Sequence, residues 1–189
     1  MSIITRFWMK SGQRLNSIHR KDNQGEVIMK QIGVSFFVND AIHSDYLLSD
    51  LLLDVIDPTW YWQSDGGENY QVEGEGYYRI LPPLFSVDEL VLTGEEFRER
   101  ITTTRHYVIT AALKAFLVKE DIVDILDFHD FEISSCQLAI IIMDTGFVSI
   151  YLKDELMIQQ FVEKAYNNGC TNIKIIDEDH TFPPPQLTI

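Results

Sequence analysis

Hydrophobic and polar positions fall into their clearest pattern between Gln137 and Asp177. Leu138–Met143 is an unbroken apolar run, Asp144-Thr-Gly follows, and Phe147-Val-Ser-Ile-Tyr-Leu comes next. This predicts two antiparallel strands joined by a tight turn, with Gly146 taking the positive φ that such turns need. After Lys153, Met157, Phe161 and Ala165 form one row with Ile158 and Val162 beside it. That stripe predicts a helix over 154–168 lying on a sheet. Asp154 and Glu155 suit its positive N-terminal end, and Asn167-Asn-Gly169 stops it. The run Asn172-Ile-Lys-Ile-Ile is the third strand. A right-handed crossover places it parallel to Phe147–Leu152 and antiparallel to Leu138–Met143.

Upstream, Gln31 to Val38 alternates as a strand, with Val34, Phe36 and Val38 on one face and Phe37 on the other. Ser44 is a candidate N-cap for a helix over 41–56 carrying Leu47, Leu48, Leu51, Leu52 and Val55, which Asp57-Pro58 ends. Thr59 to Gln63 reads as a strand before the turn Ser64-Asp-Gly-Gly, with Tyr70–Val72 returning as its hairpin partner. Glu73-Gly-Glu-Gly and Leu81-Pro-Pro read as irregular chain. Glu89–Leu92 is a short strand, after which Thr93 and Glu96 have capping-box spacing for a helix over 94–102 that buries Phe97 and Ile101. Tyr107 to Val118 is β-prone throughout and reads as one central strand. Ile122 to Leu126 is an ambiguous short element, and Phe128–Ile133 favours a short helix over a strand. The fold class expected is α+β: a mixed, largely antiparallel sheet with three helices packed on it and a closing β-hairpin-α-β unit at 137–177.

Composition narrows the class. A chain of 189 residues with 46% hydrophobic content suits one globular domain, placed at 29–177. The longest apolar run is far short of the roughly 20 residues of a membrane helix. Cys136 and Cys170 are too few for a disulfide scaffold, so a reduced cytoplasmic setting is the default. Residues 1–28 carry five basic and two acidic side chains, a net of +3, which leaves −14 − 3 = −17 for the remainder. They read as a non-domain leader, with Met29 the natural start. The competing reading is a docked amphipathic helix using Ile4, Phe7, Trp8 and Met9. Residues 178–189 form a Pro-rich tail expected in polyproline II. The acidic remainder opposes phosphate backbones and anionic membranes, since both recruit Lys and Arg. It favours a basic protein or a cation.

Few residues suggest chemistry. Asp144-Thr-Gly has the form of an aspartic-protease motif, but that reaction needs two such carboxylates, and here Phe147 follows the only copy. It therefore reads as a turn. Asp127, His129, Asp130 and Glu132 are the densest group of potential acids, bases or ligands, with His106 and His180 as candidate companions. Trp60, Tyr61 and Trp62 have the composition of a stacking platform, although such a strand also supplies core. Asp65, Glu68, Glu73 and Glu75 surround a glycine-rich loop without EF-hand spacing. No nucleophile motif, phosphate-cradling glycine loop or other cofactor motif is present.

From Met29 onward the order of features resembles a family of small acidic bacterial proteins defined as a domain of unknown function, the DUF2691 family. The resemblance rests on Gly33-Val-Ser-Phe, Asp57-Pro-Thr-Trp60-Tyr-Trp, Thr93-Gly-Glu-Glu-Phe97, Lys114-Ala-Phe, and Cys136-Gln-Leu through Asp144, Val148, Ile150 and Tyr151. It covers Met29 to about Asp177. It implies a bacterial cytoplasmic origin and carries no activity or site residue. Three functions follow as expectations. The first is a non-enzymatic binding or regulatory module, of the inhibitor or immunity type, meeting a basic partner. The second is a metal-dependent or acid/base hydrolase built on Asp127–Glu132. The third is a structural homodimer formed through the strand near Trp60–Gln63, taken as an edge.

Overall fold

A computed structural model describes residues 27–39, 45–74, 79–86 and 90–178, together with strands at 3–8 and 14–21. In chain order the strands are β1 (Ile3–Trp8), β2 (Arg14–Lys21), β3 (Val27–Ile28), β4 (Gln31–Phe37), β5 (Tyr61–Ser64), β6 (Asn69–Glu73), β7 (Arg79–Pro83), β8 (Val91–Thr93), β9 (His106–Val108), β10 (Ala111–Phe116), β11 (Cys136–Met143), β12 (Phe147–Leu152) and β13 (Thr171–Asp177). The helices are α1 (Leu47–Leu52), α2 (Gly94–Thr103), α3 (Phe128–Ile133) and α4 (Glu155–Asn167). The fold is α+β, built on one large antiparallel sheet.

That sheet has seven strands in the order β13-β4-β12-β11-β10-β5-β8, and each neighbouring pair is antiparallel. Strand β13 runs in the same direction as β12 and opposite to β11, as the sequence predicts. It does not lie beside β12, because β4 is inserted between them. No pair in the sheet is parallel, so it is less mixed than expected. Strands β7, β6 and β9 form a second sheet, and β1, β2 and β3 a third.

Alternation along the strands separates two cores. Leu138, Ile140 and Ile142 of β11, Val148, Ile150 and Leu152 of β12, and Val34 and Phe36 of β4 face one way. Leu47, Leu48, Leu51 and Leu52 of α1, Phe97 and Ile101 of α2, and Ile158, Phe161 and Ala165 of α4 cover them. On the opposite face, Ala139, Tyr151, Phe116 and Ile32 meet Ile125 and Phe131 from the connection between β10 and β11. Three helices thus cover one face, and α3 with its flanking chain covers part of the other.

Several expectations change at this level. Strand structure occupies 3–8, where an N-terminal helix was one of two readings. Helix α1 is shorter than 41–56: it starts at Leu47 with no side-chain cap, and the proposed cap Ser44 lies outside the described residues. The run 107–118 is two strands in two different sheets. At the corner, the Ile109 and Thr110 amides both donate to the Glu68 carbonyl, at 2.8 and 3.1 Å. Strand β6 pairs with β7 and β9 and does not return on β5. Gly66 and Gly67 (φ +89° and +103°) carry the chain away between them. Leu81-Pro-Pro is the end of β7, which among the described residues is an edge strand, where prolines are tolerated. Strand β5 is interior, held by β10 and β8, so it offers no free edge for a homodimer; among the described residues the edges of the main sheet are β13 and β8.

Candidate functional site

The 117–135 connection holds the candidate acids. It leaves β10 and returns to β11, and the Leu117 amide donates to the Ser135 carbonyl at 3.4 Å, closing its two ends. Within it, Lys119–Asp121 is a short 3-10 turn, and α3 follows. Asp127 is the N-cap of α3: its Oδ1 accepts from the Asp130 amide at 2.9 Å. The Asp130 Oδ2 accepts from the Leu126 amide at 3.0 Å and ties the preceding chain to the helix. Glu132 pairs with Lys30 at 2.9 Å, both half-exposed. His129 is exposed on the same helix. The four candidates are thus spread over a cap, a turn, a surface ion pair and open solvent. Among the described residues, no three His, Cys, Asp or Glu side chains are grouped to hold a metal ion.

Two lysines fasten α3 to the sheet. Lys30 lies 5.8 Å from the Phe128 ring centre, and Lys153 lies 5.8 Å from that of Phe131. Lys153 also donates to the Ser134 carbonyl, and its partial burial lowers its pKa. Phe131 is buried and Phe128 half-buried, as their spacing implies.

The companion histidines do not join this group. His106 is buried at the start of β9, where its Nε2 accepts from the Leu48 amide at 3.1 Å. That fixes the tautomer, so its Nδ1–H donates to the Thr104 carbonyl at 2.8 Å. Burial lowers its pKa despite Asp50 and Asp45 nearby. Both ring nitrogens serve the fold. His180 lies outside the described residues.

The other candidates separate as well. Trp62 is buried and stacks on Phe97 with ring centres 4.0 Å apart and planes 1° apart. Tyr61 points to the opposite face, and Trp60 lies partly buried against the helix-covered core. The three rings therefore form no common platform. Asp65 pairs with Lys114, the Glu68 amide donates to Thr110 Oγ1 at 2.8 Å, and Glu75 lies outside the described residues. Asp144 and Thr145 take φ of 51° and 61°, and the Gly146 amide closes the turn on the Met143 carbonyl at 3.3 Å. This is a tight hairpin turn, as expected, but its left-handed positions belong to Asp144 and Thr145 and not to Gly146.

What periodicity missed is exposure in the same connection. Leu117, Val118, Val123, Leu126 and Ile133 are 43–69% exposed. Ile125 and Phe131, from the same apolar run, point inward. The only signal available beforehand was their excess: this stretch has more large apolar side chains than one helix turn and one sheet face can bury.

The family model for "Protein of unknown function (DUF2691)" matches residues 31–183. The chain belongs to the DUF2691 family. It is similar to the uncharacterised protein YncE of Bacillus subtilis (strain 168), 26% identical over 148 residues that span 78% of this chain and 93% of that protein. No solved structure matches it. Among the described residues, no helix is long and apolar enough to cross a membrane.

Proposed function

We propose that this DUF2691 chain is a non-enzymatic binding or regulatory module of the cytoplasm, of the inhibitor or immunity type, that acts by meeting a basic protein. One observation carries the choice over a hydrolase. Asp127, Asp130 and Glu132 each have a separate structural partner, and His129 stands apart from them in solvent. General acid/base work needs such groups within hydrogen-bond reach of one reacting centre. A net charge of −14 supplies the long-range attraction for a basic partner and raises its rate of encounter.

The test is affinity capture of tagged protein from the source cells, followed by reconstitution with the purified candidate. The expected result is a single basic protein that binds at low salt and is released at high salt. Recovery of an acidic or salt-insensitive partner would overturn the proposal. So would hydrolytic activity that is lost in Asp130→Asn and His129→Ala while the fold is retained.

A further inference from the structure

We infer that the 117–133 connection is the docking surface of this chain, and that its occupant is an apolar cleft of a partner protein rimmed by Lys and Arg. The inference rests on the binding-module reading above and locates it. Five large apolar side chains, 43–69% exposed, are concentrated in this one connection. Single exposed hydrophobics are ordinary on a protein surface, whereas a grouped set marks an interaction site. Bonds within the connection draw its two ends together and fix Leu126. The Leu117–Ser135 hydrogen bond brings the Ile133 end beside Leu117, and the Asp130 carboxylate holds Leu126 against α3.

Charge selects the occupant. Residues 117–133 carry six acids against Lys119, a local net of 1 − 6 = −5 with histidine neutral. The carboxylates of Glu120, Asp121 and Asp124 are exposed and make no hydrogen bond or ion pair among the described residues, so they are available to a partner. An apolar centre with charged groups around it is the usual anatomy of a protein interface. Here the rim is anionic, so the complementary rim is cationic. The scaffold is firm: Ile125 and Phe131 are anchored in the core beneath, which keeps the surface preorganised.

A fluorescently labelled amphipathic Leu–Lys peptide serves as the probe, with a Leu–Glu peptide of the same pattern as its control. The full chain is expected to bind the Leu–Lys peptide in a salt-sensitive manner and to ignore the control. Leu126→Ser/Ile133→Ser and Asp121→Asn/Asp124→Asn should each weaken binding by about tenfold or more. Leu156→Ser/Tyr166→Ser removes two exposed apolar side chains of α4 and should leave binding unchanged. All variants alter exposed side chains, and matching thermal unfolding curves confirm that they fold. Binding that ignores both pairs of connection variants would overturn this location while leaving the basic-partner reading in place. Failure to bind any basic probe, or equal binding of the Leu–Glu peptide, would overturn both.

Discussion

His106 accepts the amide hydrogen of Leu48 at 3.1 Å, and through it the first turn of α1 is tied to β9 across 58 residues of sequence. Arg105 strengthens the same junction by pairing with Asp45, and the His106 amide donates to the Asp45 carbonyl at 2.7 Å. A protonated imidazole has no acceptor for Leu48. Burial therefore holds the folded pKa below the ordinary value near 6.5. The unfolded chain takes up the proton first as pH falls, so stability is present above about pH 6.5 and is lost as pH drops below it. Urea midpoints measured across this range should fall more steeply for the natural chain than for His106→Gln. Identical slopes would remove His106 from the account.

Trp62, Phe97 and Phe85 form a stack, with the second pair of ring centres 5.6 Å apart and 6° from parallel. Phe97→Ala leaves a cavity between two rings that cannot close on each other without moving β5. Its expected cost is about 3–5 kcal/mol, read from chemical denaturation, with a change in Trp62 fluorescence. A loss below about 1 kcal/mol would mean that the stack is dispensable.

Thr145 holds a left-handed conformation that a β-branched residue seldom adopts. Thr145→Gly relieves this, and the gain of about 1 kcal/mol exceeds what added unfolded-state freedom removes. The Thr145 amide bond to the Ile109 carbonyl, at 3.0 Å, survives the change. A rise of the thermal midpoint is expected; a fall would show that the threonine side chain stabilises the turn.

Cys136 is fully buried, and burial pushes its thiol pKa up to about 12. Reactivity follows the thiolate. A short exposure to N-ethylmaleimide near neutral pH should modify the half-buried Cys170 and leave Cys136 intact until denaturant is added. Peptide mapping distinguishes the two sites.

Local sequence carried the parts of this fold whose signals are local. The capping box of α2 is present in full, with Glu96 bonded to the Thr93 amide at 2.8 Å and the Glu96 amide to Thr93 Oγ1 at 3.2 Å. Helix α4 and the β11–β12 hairpin were legible for the same reason. Non-local pairing was not. Nothing in Tyr107–Val118 announces the change of sheet at Ile109-Thr110, because the corner is set by Glu68, some 40 residues earlier. The place of β4 between β12 and β13 is likewise invisible to periodicity. For the candidate site, residue types in 127–132 were plain in the sequence, but Glu132 takes its duty from Lys30, 102 residues away, which only the fold brings near.

The position of β4 also governs how the chain can assemble. Its partners are residues 147–152 and 171–177, so more than a hundred residues must be made before its first ladder can form. Strands β10, β11 and β12 pair with near neighbours in sequence and can close early. During synthesis, β4 therefore waits without a strand partner until β12 leaves the ribosome, and for its second partner until β13 does. A nascent chain arrested before β13 would keep β4 paired on one side only, exposing a strand edge to other chains and to chaperones.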